Sequence, residues 1–288
     1  MDIPSTEYYE GVELKFSEVS ILITIQQMIG KPIPNINHLK YEQIGFKCEK
    51  SKITELKILN QKLNKIPSEV GELKHLKRLN LSNNRITLIP ESIGNLKELK
   101  SLNLNNNRIS NLPESFKNLL LLTELRLYNN QITSLPKDMI PNLRYLDLRK
   151  NRITTLSEKF CHLTNLNDLR LTENKLYSLP ENIGILENLE TLLLTKNNLE
   201  YLPDSFFNLK SLQTLSLGEN RFKTIPEGIS NLHNLKKLCL HKNKIRSLPY
   251  LGNLTKLYNL YLFKNPLAKS SRKRRQIEEM IPNCAILW

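Results

Sequence analysis

Cys239 and His241 stand two residues apart in Leu238-Cys239-Leu240-His241 and are the nearest the chain comes to a metal-ligand pair. A zinc site takes three or four such ligands, and the neighbouring segments supply none. The histidines His38, His75, His162, His233 and His241 are scattered, and no nucleophile stands with a base and an orienting group. No glycine-rich loop is present to cradle a phosphate. The sequence therefore predicts a non-enzyme, with no catalytic residue, no metal and no cofactor. The residue types that remain are those of recognition. Arg126, Tyr128, Tyr145, Asp147, Arg149, Asp168 and Arg170 form one set, and Tyr261 with Phe263 a second. Arginine and aromatic side chains carry much of the energy of protein interfaces, because they bury large areas and make directed bonds.

These residues recur in phase because the chain is built from one unit. Leu99-Lys100-Ser101-Leu102-Asn103-Leu104-Asn105-Asn106-Asn107-Arg108-Ile109-Ser110-Asn111-Leu112-Pro113 reads as LxxLxLxxNxIxxLP. Leu102 and Leu104 have the period-two spacing of a short strand, whose alternate side chains share a face. Asn107 falls where that strand ends. Its amide carries two donors and an acceptor, enough to satisfy the backbone of its own turn and of the next unit. Pro113 stops the strand, and Glu114 onward is expected to form a short outer turn. One unit is too small to offset its own ordering entropy, so the copies must stack.

Ten units begin at Ile53, Leu76, Leu99, Leu122, Leu143, Leu166, Leu189, Leu212, Leu235 and Leu257. The asparagine column expected to form a ladder is Asn84, Asn107, Asn130, Asn151, Asn174, Asn197, Asn220, Asn243 and Asn265, with Gln61 in its place in the first unit. A spacing near 23 residues is too short for a long outer helix, so helical stubs and turns are expected. Between Leu122 and Leu143 the spacing shrinks to 21, because Lys137-Asp138-Met139-Ile140-Pro141 replaces the longer outer segment.

The ends need covers. Residues 1–52 read as an N-terminal cap: a polar start up to about Lys15, mobile at the very end, a helix over about 17–29 capped by Ser17 and stopped by Gly30, and an edge strand over about 43–48. The helix's apolar face fits a cover for the first unit better than a membrane anchor. Residues 53–267 are the repeats. Residues 268–288 read as a helical C-terminal cap with a last strand, and its basic run Arg272-Lys273-Arg274-Arg275 reads as a solvated helix face.

With 42 Lys and Arg against 28 Asp and Glu, the net charge of +14 favours acidic partners or anionic surfaces. Cys48, Cys161, Cys239 and Cys284 lie far apart and form no CxxC pair, as expected of reduced thiols in a cytoplasmic protein. Residues 1–10 are polar and acidic, unlike a secretory signal, and no apolar run is long enough to cross a bilayer.

The ten units resemble leucine-rich repeat proteins. The pattern Leu179-Pro180-Glu181-Asn182-Ile183-Gly184 is similar to the Ras-group subclass: Ras suppressor, Shoc-type scaffolds and plant intracellular Ras-group proteins. The Asn265-Pro266-Leu267 tail resembles the C-terminal cap of intracellular members. This resemblance implies an α/β solenoid, a horseshoe with a concave parallel β-sheet and short outer helical turns. It further implies a non-catalytic protein-binding module or scaffold, in signalling that involves small GTPases, acting as a monomer. It places on the concave face Glu55, Lys57, Arg78, Asn80, Ser101, Asn103 and Asn105 as a small polar surface, followed by the two recognition sets named above.

Two alternatives are bland. Arg and Asp on neighbouring strands would pair with each other across the sheet and leave nothing for a partner. The basic column after each ladder asparagine, Arg85, Arg108, Arg152, Lys175, Arg221 and Lys244, with Lys62 in the first unit, would be balanced by the acidic column Glu91, Glu114, Glu181, Asp204 and Glu227 together with solvent screening. Acids there also suit the positive start of a helical turn. The sharper reading of that basic column is a binder of nucleic acid or an acidic membrane surface.

Overall fold

The computed structural model describes residues 6–36 and 44–288. His38 and the first residue of the expected edge strand lie outside them. The chain divides into two compact units, Met1–Leu143 and Arg144–Trp288.

The first unit carries a hairpin in the stretch up to Lys15, whose sequence reads only as polar, while the very end expected to be mobile lies outside the described residues. β1 (Thr6–Tyr9) pairs antiparallel with β2 (Val12–Lys15) around Glu10 and Gly11, both at positive φ. The cause is the alternation Val12-Glu13-Leu14-Lys15, which sends Leu14 into the core. α1 (Phe16–Ile29) follows directly. Lys15 is its N-cap and Ser17 already lies inside the helix, so the expected serine cap is wrong: the helix starts as soon as the hairpin releases the chain. Gly30 ends it in the left-handed conformation, as expected. Val19, Ile21, Leu22 and Ile25 are buried, and α1 packs on the hairpin and on the outer turn Ser68–Glu72, which makes it a cover for the first repeat. Tyr9 Oη donates to Gln26 Oε1 at 2.7 Å, tying hairpin to helix.

β3 (Ile44–Glu49) runs antiparallel to β4 (Lys52–Ile58). The outer edge of β3 is protected, because Phe46 exchanges backbone bonds with Pro34 and Ile36 at 3.0 Å. β5 (Arg78–Asn80), β6 (Ser101–Asn103) and β7 (Glu124–Arg126) then add in parallel, in chain order.

The second unit is a parallel sheet, also in chain order: β8 (Tyr145–Asp147), β9 (Asp168–Arg170), β10 (Thr191–Leu193), β11 (Thr214–Ser216), β12 (Lys237–Cys239), β13 (Asn259–Tyr261) and β14 (Ala285–Leu287). The helix α2 (Ser271–Met280) precedes β14, so the expected helix and last strand are both present.

Apart from the longer β4, a repeat in each unit gives three strand residues, with a buried leucine in the middle. The outer wall is single 3-10 turns, such as Glu91–Asn95, Glu114–Asn118 and Asp204–Asn208, each preceded by a proline whose fixed φ starts the turn. Ser157 takes the same role before Glu158–His162 with φ −73°. Residues 137–141 form no helical turn, which accounts for the two residues missing from that repeat. The outer turns stack closely: a Cβ on Gly184 would stand 2.0 Å from the Ser205 carbonyl oxygen.

The ladder forms as the amide's valence demands. Asn107 Oδ1 accepts from Ile86 N at 3.0 Å, while its Nδ2 donates to Leu81 O and Leu104 O at 3.0 Å each. Asn84, Asn174, Asn197, Asn220, Asn243 and Asn265 repeat this scheme, and Asn130 and Asn151 take the same buried place.

Candidate functional site

The side chains that flank each strand's central leucine stand on the sheet's open face. In the first unit they line a groove of about 480 Å³ containing Lys47, Glu55, Lys57, Arg78, Asn80, Ser101, Asn103, Glu124 and Arg126. Arg78 Nη1 lies 3.0 Å from Glu55 Oε1 on the neighbouring strand. Glu124 is held from two sides, by Ser101 Oγ at 2.8 Å and by Arg126 Nε. Asparagines stiffen the same face: Tyr128 N donates to Asn105 Oδ1 at 2.8 Å, and Asn105 N to Asn103 Oδ1 at 3.0 Å. The stretch expected to be a small polar surface is thus a charged groove, and Arg126 lies in its wall.

In the second unit the expected residues Tyr145, Asp147, Arg149, Asp168 and Arg170 are brought together by β8 and β9, whose register sets Tyr145 opposite Asp168 and Asp147 opposite Arg170. The pairing differs from the cross-strand scheme. Each arginine is gripped by the acid two residues before it, because period-two spacing puts both on one face. Arg149 donates from Nε and Nη2 to Asp147 at 2.9 and 2.6 Å, and Arg170 from the same two nitrogens to Asp168 at 3.0 and 2.9 Å. Hydrogen bonds donated to these carboxylates hold both guanidiniums above their ordinary pKa. Asp147 is only 2% exposed, and its Oδ1 also accepts from Arg149 N at 3.1 Å. The Arg170 guanidinium lies over the Tyr145 ring, 5.0 Å from its centre, a cation–π contact.

Farther along this sheet, His241 stacks on Phe263 with ring centres 4.6 Å apart. Gly218 makes room for it, since a Cβ there would stand 2.3 Å from His241 Cε1. Burial pushes the imidazole pKa down and the Cys239 thiol up. Lys237 Nζ sits 5.1 Å from the centre of the Tyr261 ring. Cys239 and His241 gain no third ligand: among the described residues no cluster of His, Cys, Asp and Glu is suited to a metal.

The basic column is exposed throughout. The acidic column does not balance it. Among the described residues, Arg85, Arg108, Arg152, Lys175 and Lys244 form no ion pair with a carboxylate, and Arg221 approaches only Glu200, at 4.0 Å. Acids at the starts of the outer turns serve the backbone instead. Glu91 accepts from Ser115 N at 3.0 Å, and Glu158, which follows Ser157, accepts from Glu181 N at 2.7 Å. They meet the bare N–H groups of the next turn, as a helical start requires.

Sequence reasoning missed the residue before each ladder asparagine, which takes positive φ in every repeat. In the first unit these include Asn83, Asn106 and Asn129; in the second, Lys150, Glu173, Lys196, Glu219, Lys242 and Lys264. The Asn-Asn doublets were the available signal, because asparagine tolerates that conformation.

A family model described as a leucine-rich repeat region matches residues 47–170 and 143–281. The chain belongs to the leucine-rich repeat family. No curated protein matches it significantly. Among solved structures, it is similar to a leucine-rich repeat protein of Leptospira interrogans, at 27% identity and TM-score 0.58, over 82% of this chain and 84% of that one. A chain from the octameric complex of latrophilin 3, Unc5D and the leucine-rich repeat protein FLRT2 matches at TM-score 0.66 and 21% identity, over 87% of each. The functional domain of InlJ from Listeria monocytogenes matches at TM-score 0.57 and 21% identity, over 74% of this chain and 49% of that one. The last two likenesses concern the fold. Leucine-rich repeat proteins as a family mediate protein–protein interaction.

Proposed function

We propose that this chain is a non-catalytic recognition module, a cytoplasmic monomer that grips a protein partner on the open faces of its sheets. The observation that carries the proposal is the ordering of Arg149 and Arg170. Each is locked by a two-pronged bond to its own aspartate, and Arg170 is also laid over Tyr145. Side chains already fixed in the free protein lose little entropy on binding, and arginine and tyrosine are the types that dominate interface energies. Family membership supports the reading, and the FLRT2 neighbour sits in a complex with other proteins. The Leu-Pro-Glu-Asn-Ile-Gly signature makes a small GTPase or another signalling protein the first partner to test.

The test is capture from native lysate with the wild-type chain and with Tyr145→Ala/Arg170→Ala, followed by titration calorimetry on the captured protein. The variant is expected to bind at least tenfold more weakly, about 1.4 kcal/mol or more. An unchanged affinity removes β8 and β9 from the interface.

A further inference from the structure

We propose that the second unit carries a separate site for single-stranded nucleic acid, along the turns that follow its ladder asparagines. It lies off the open sheet face and goes beyond the protein-binding reading. The turns are stitched side by side by backbone bonds: Tyr177 N to Thr154 O, Asn198 N to Leu176 O, Arg221 N to Leu199 O, Lys244 N to Phe222 O and Leu267 N to Ile245 O. At roughly 4.8 Å per neighbouring turn, five steps extend over about 24 Å.

Six of the exposed positions on this track are cationic. Arg221, Lys223, Lys244, Arg246, Lys269 and Arg272 all face solvent there, and α2 is fastened to the track by Lys273 Nζ donating to Arg246 O at 2.6 Å. Glu200 is the one carboxylate within the turn segments 198–201, 221–224, 244–247 and 266–273. It approaches Arg221 at 4.0 Å, and no other ion pair among the described residues neutralises these six cations. Like charges on neighbouring turns repel, and a polyanion relieves them.

Two large rings lie exposed in consecutive turns beside the cations, Tyr177 at 57% and Tyr201 at 52%. Rings interspersed with cations suit a strand whose bases stack while its phosphates pair. A membrane surface fits less well, because the large apolar side chains most exposed on these turns are those two tyrosines rather than aliphatic anchors. A duplex would hide its bases from the rings.

The experiment is fluorescence anisotropy of the full chain with a labelled 12-nucleotide oligouridylate at 50 and 200 mM salt. Parallel measurements use a poly-glutamate peptide and vesicles containing phosphatidylserine. The oligonucleotide is expected to bind at low salt and to weaken by about a hundredfold between the two conditions, the loss for about five neutralised phosphates on a single strand. Tyr177→Ala/Tyr201→Ala should weaken binding by tenfold or more with the salt slope kept. Lys223→Gln/Arg246→Gln/Lys269→Gln should flatten that slope by about two. All five side chains are exposed, and unchanged urea midpoints confirm that the variants fold. Failure to bind at 50 mM salt overturns the proposal. So does poly-glutamate binding as tightly as the oligonucleotide with no effect of the tyrosines, or capture by vesicles alone.

Discussion

Replacing Asn174 by alanine tests whether the asparagine seam holds the stack. Its Oδ1 accepts from Ile153 N at 3.1 Å, and its Nδ2 donates to Leu148 O at 2.9 Å and to Leu171 O at 3.1 Å. These three groups are not equally exposed to the loss. Leu148 O also accepts from Asn151 Nδ2 at 2.9 Å, and Leu171 O from Asn197 Nδ2 at 3.0 Å, so both carbonyls keep a partner. Ile153 N is left bare in a buried place, at a cost of about 1 to 3 kcal/mol, and each carbonyl forfeits about 0.5 to 1 kcal/mol. The expected destabilisation is about 2 to 5 kcal/mol, read from urea unfolding followed by circular dichroism. Hydrogen exchange at the Ile153 amide should accelerate more than at amides two repeats away, because a repeat array opens locally. Asn174→Asp is the discriminating companion. It keeps the acceptor for Ile153 but turns a carboxylate toward two carbonyl oxygens, and should cost at least as much as alanine. A loss under about 1 kcal/mol for alanine, or an aspartate variant as stable as wild type, would refute the bridging role.

Glu18 is a buried carboxylate that accepts from Ile53 N at 3.2 Å, and burial pushes its pKa above 4.5. The folded state then binds more protons than the unfolded one, so wild-type stability should rise as pH falls from the raised value toward 4.5. Glu18→Gln should be the more stable chain at pH 8 and should lack that slope in pH-dependent urea melts. Lys264 has φ 58°, and no side-chain bond of its own is at stake, so Lys264→Gly should raise stability by about 0.5 to 1 kcal/mol. A thermal melt showing destabilisation would contradict the strain. His241 carries a buried Nδ1 with no hydrogen-bond partner, and burial depresses its pKa below 6.5. The histidine's contribution is therefore full above pH 6.5 and lost as pH falls through the lowered value. His241→Phe keeps the stack on Phe263 and should equal or exceed wild-type stability while removing this acid sensitivity, as urea titrations at pH 5 and 7.5 would show.

The repeat explains why so much of the fold could be read in advance. Leu99, Leu102, Leu104, Asn107, Ile109, Leu112 and Pro113 state the same local demand that the other units state, and agreement among copies removes the ambiguity of any one. Where the chain has a single copy, the reading is incomplete: the N-terminal helix, the edge strand and the C-terminal helix and strand are present, but the first hairpin and the start of the helix are missed. The β1–β2 hairpin and the start of α1 at Phe16 rest on contacts such as Tyr9 to Gln26, which no periodicity announces. At the site, period-two logic placed Tyr145, Asp147, Arg149, Asp168 and Arg170 on one face. Whether an aspartate turns to its own strand's arginine or to the neighbour's depends on rotamers and strand twist, and neither is written in spacing. The expectation that the acidic column balances the basic one fails for a related reason, while its fit to the start of a helical turn is met at Glu91. Glu91 and Glu158 lie close in sequence to the basic column, but the bare N–H groups of the next outer turn are nearer and better aimed.

The left-handed position before each ladder asparagine shows how one backbone demand, met with two chemistries, sets the charge of a rim. In the first unit Asn83, Asn106 and Asn129 adopt it at little strain and link side chains, Asn106 Nδ2 to Asn83 Oδ1 at 2.7 Å and Asn129 Nδ2 to Asn106 Oδ1 at 2.9 Å. In the second unit lysine and glutamate take the same φ, which costs each about 1 to 2 kcal/mol relative to a right-handed conformation. Their order offsets part of that cost. Glu173 pairs with Lys196 at 2.9 Å and Glu219 with Lys242 at 3.1 Å, and the Lys196 bond holds the Glu173 carboxyl below its ordinary pKa. Lys196 and Lys242 are therefore spoken for, and contribute little to any external field. The uncompensated charge of the second unit lies two positions later, on Lys175, Lys244 and the turns that carry Lys223 and Arg246, beside Tyr177 and Tyr201. If a polyanion binds this unit, neutralising Lys196 and Lys242 should leave its affinity nearly unchanged, whereas neutralising Lys223 and Arg246 should not.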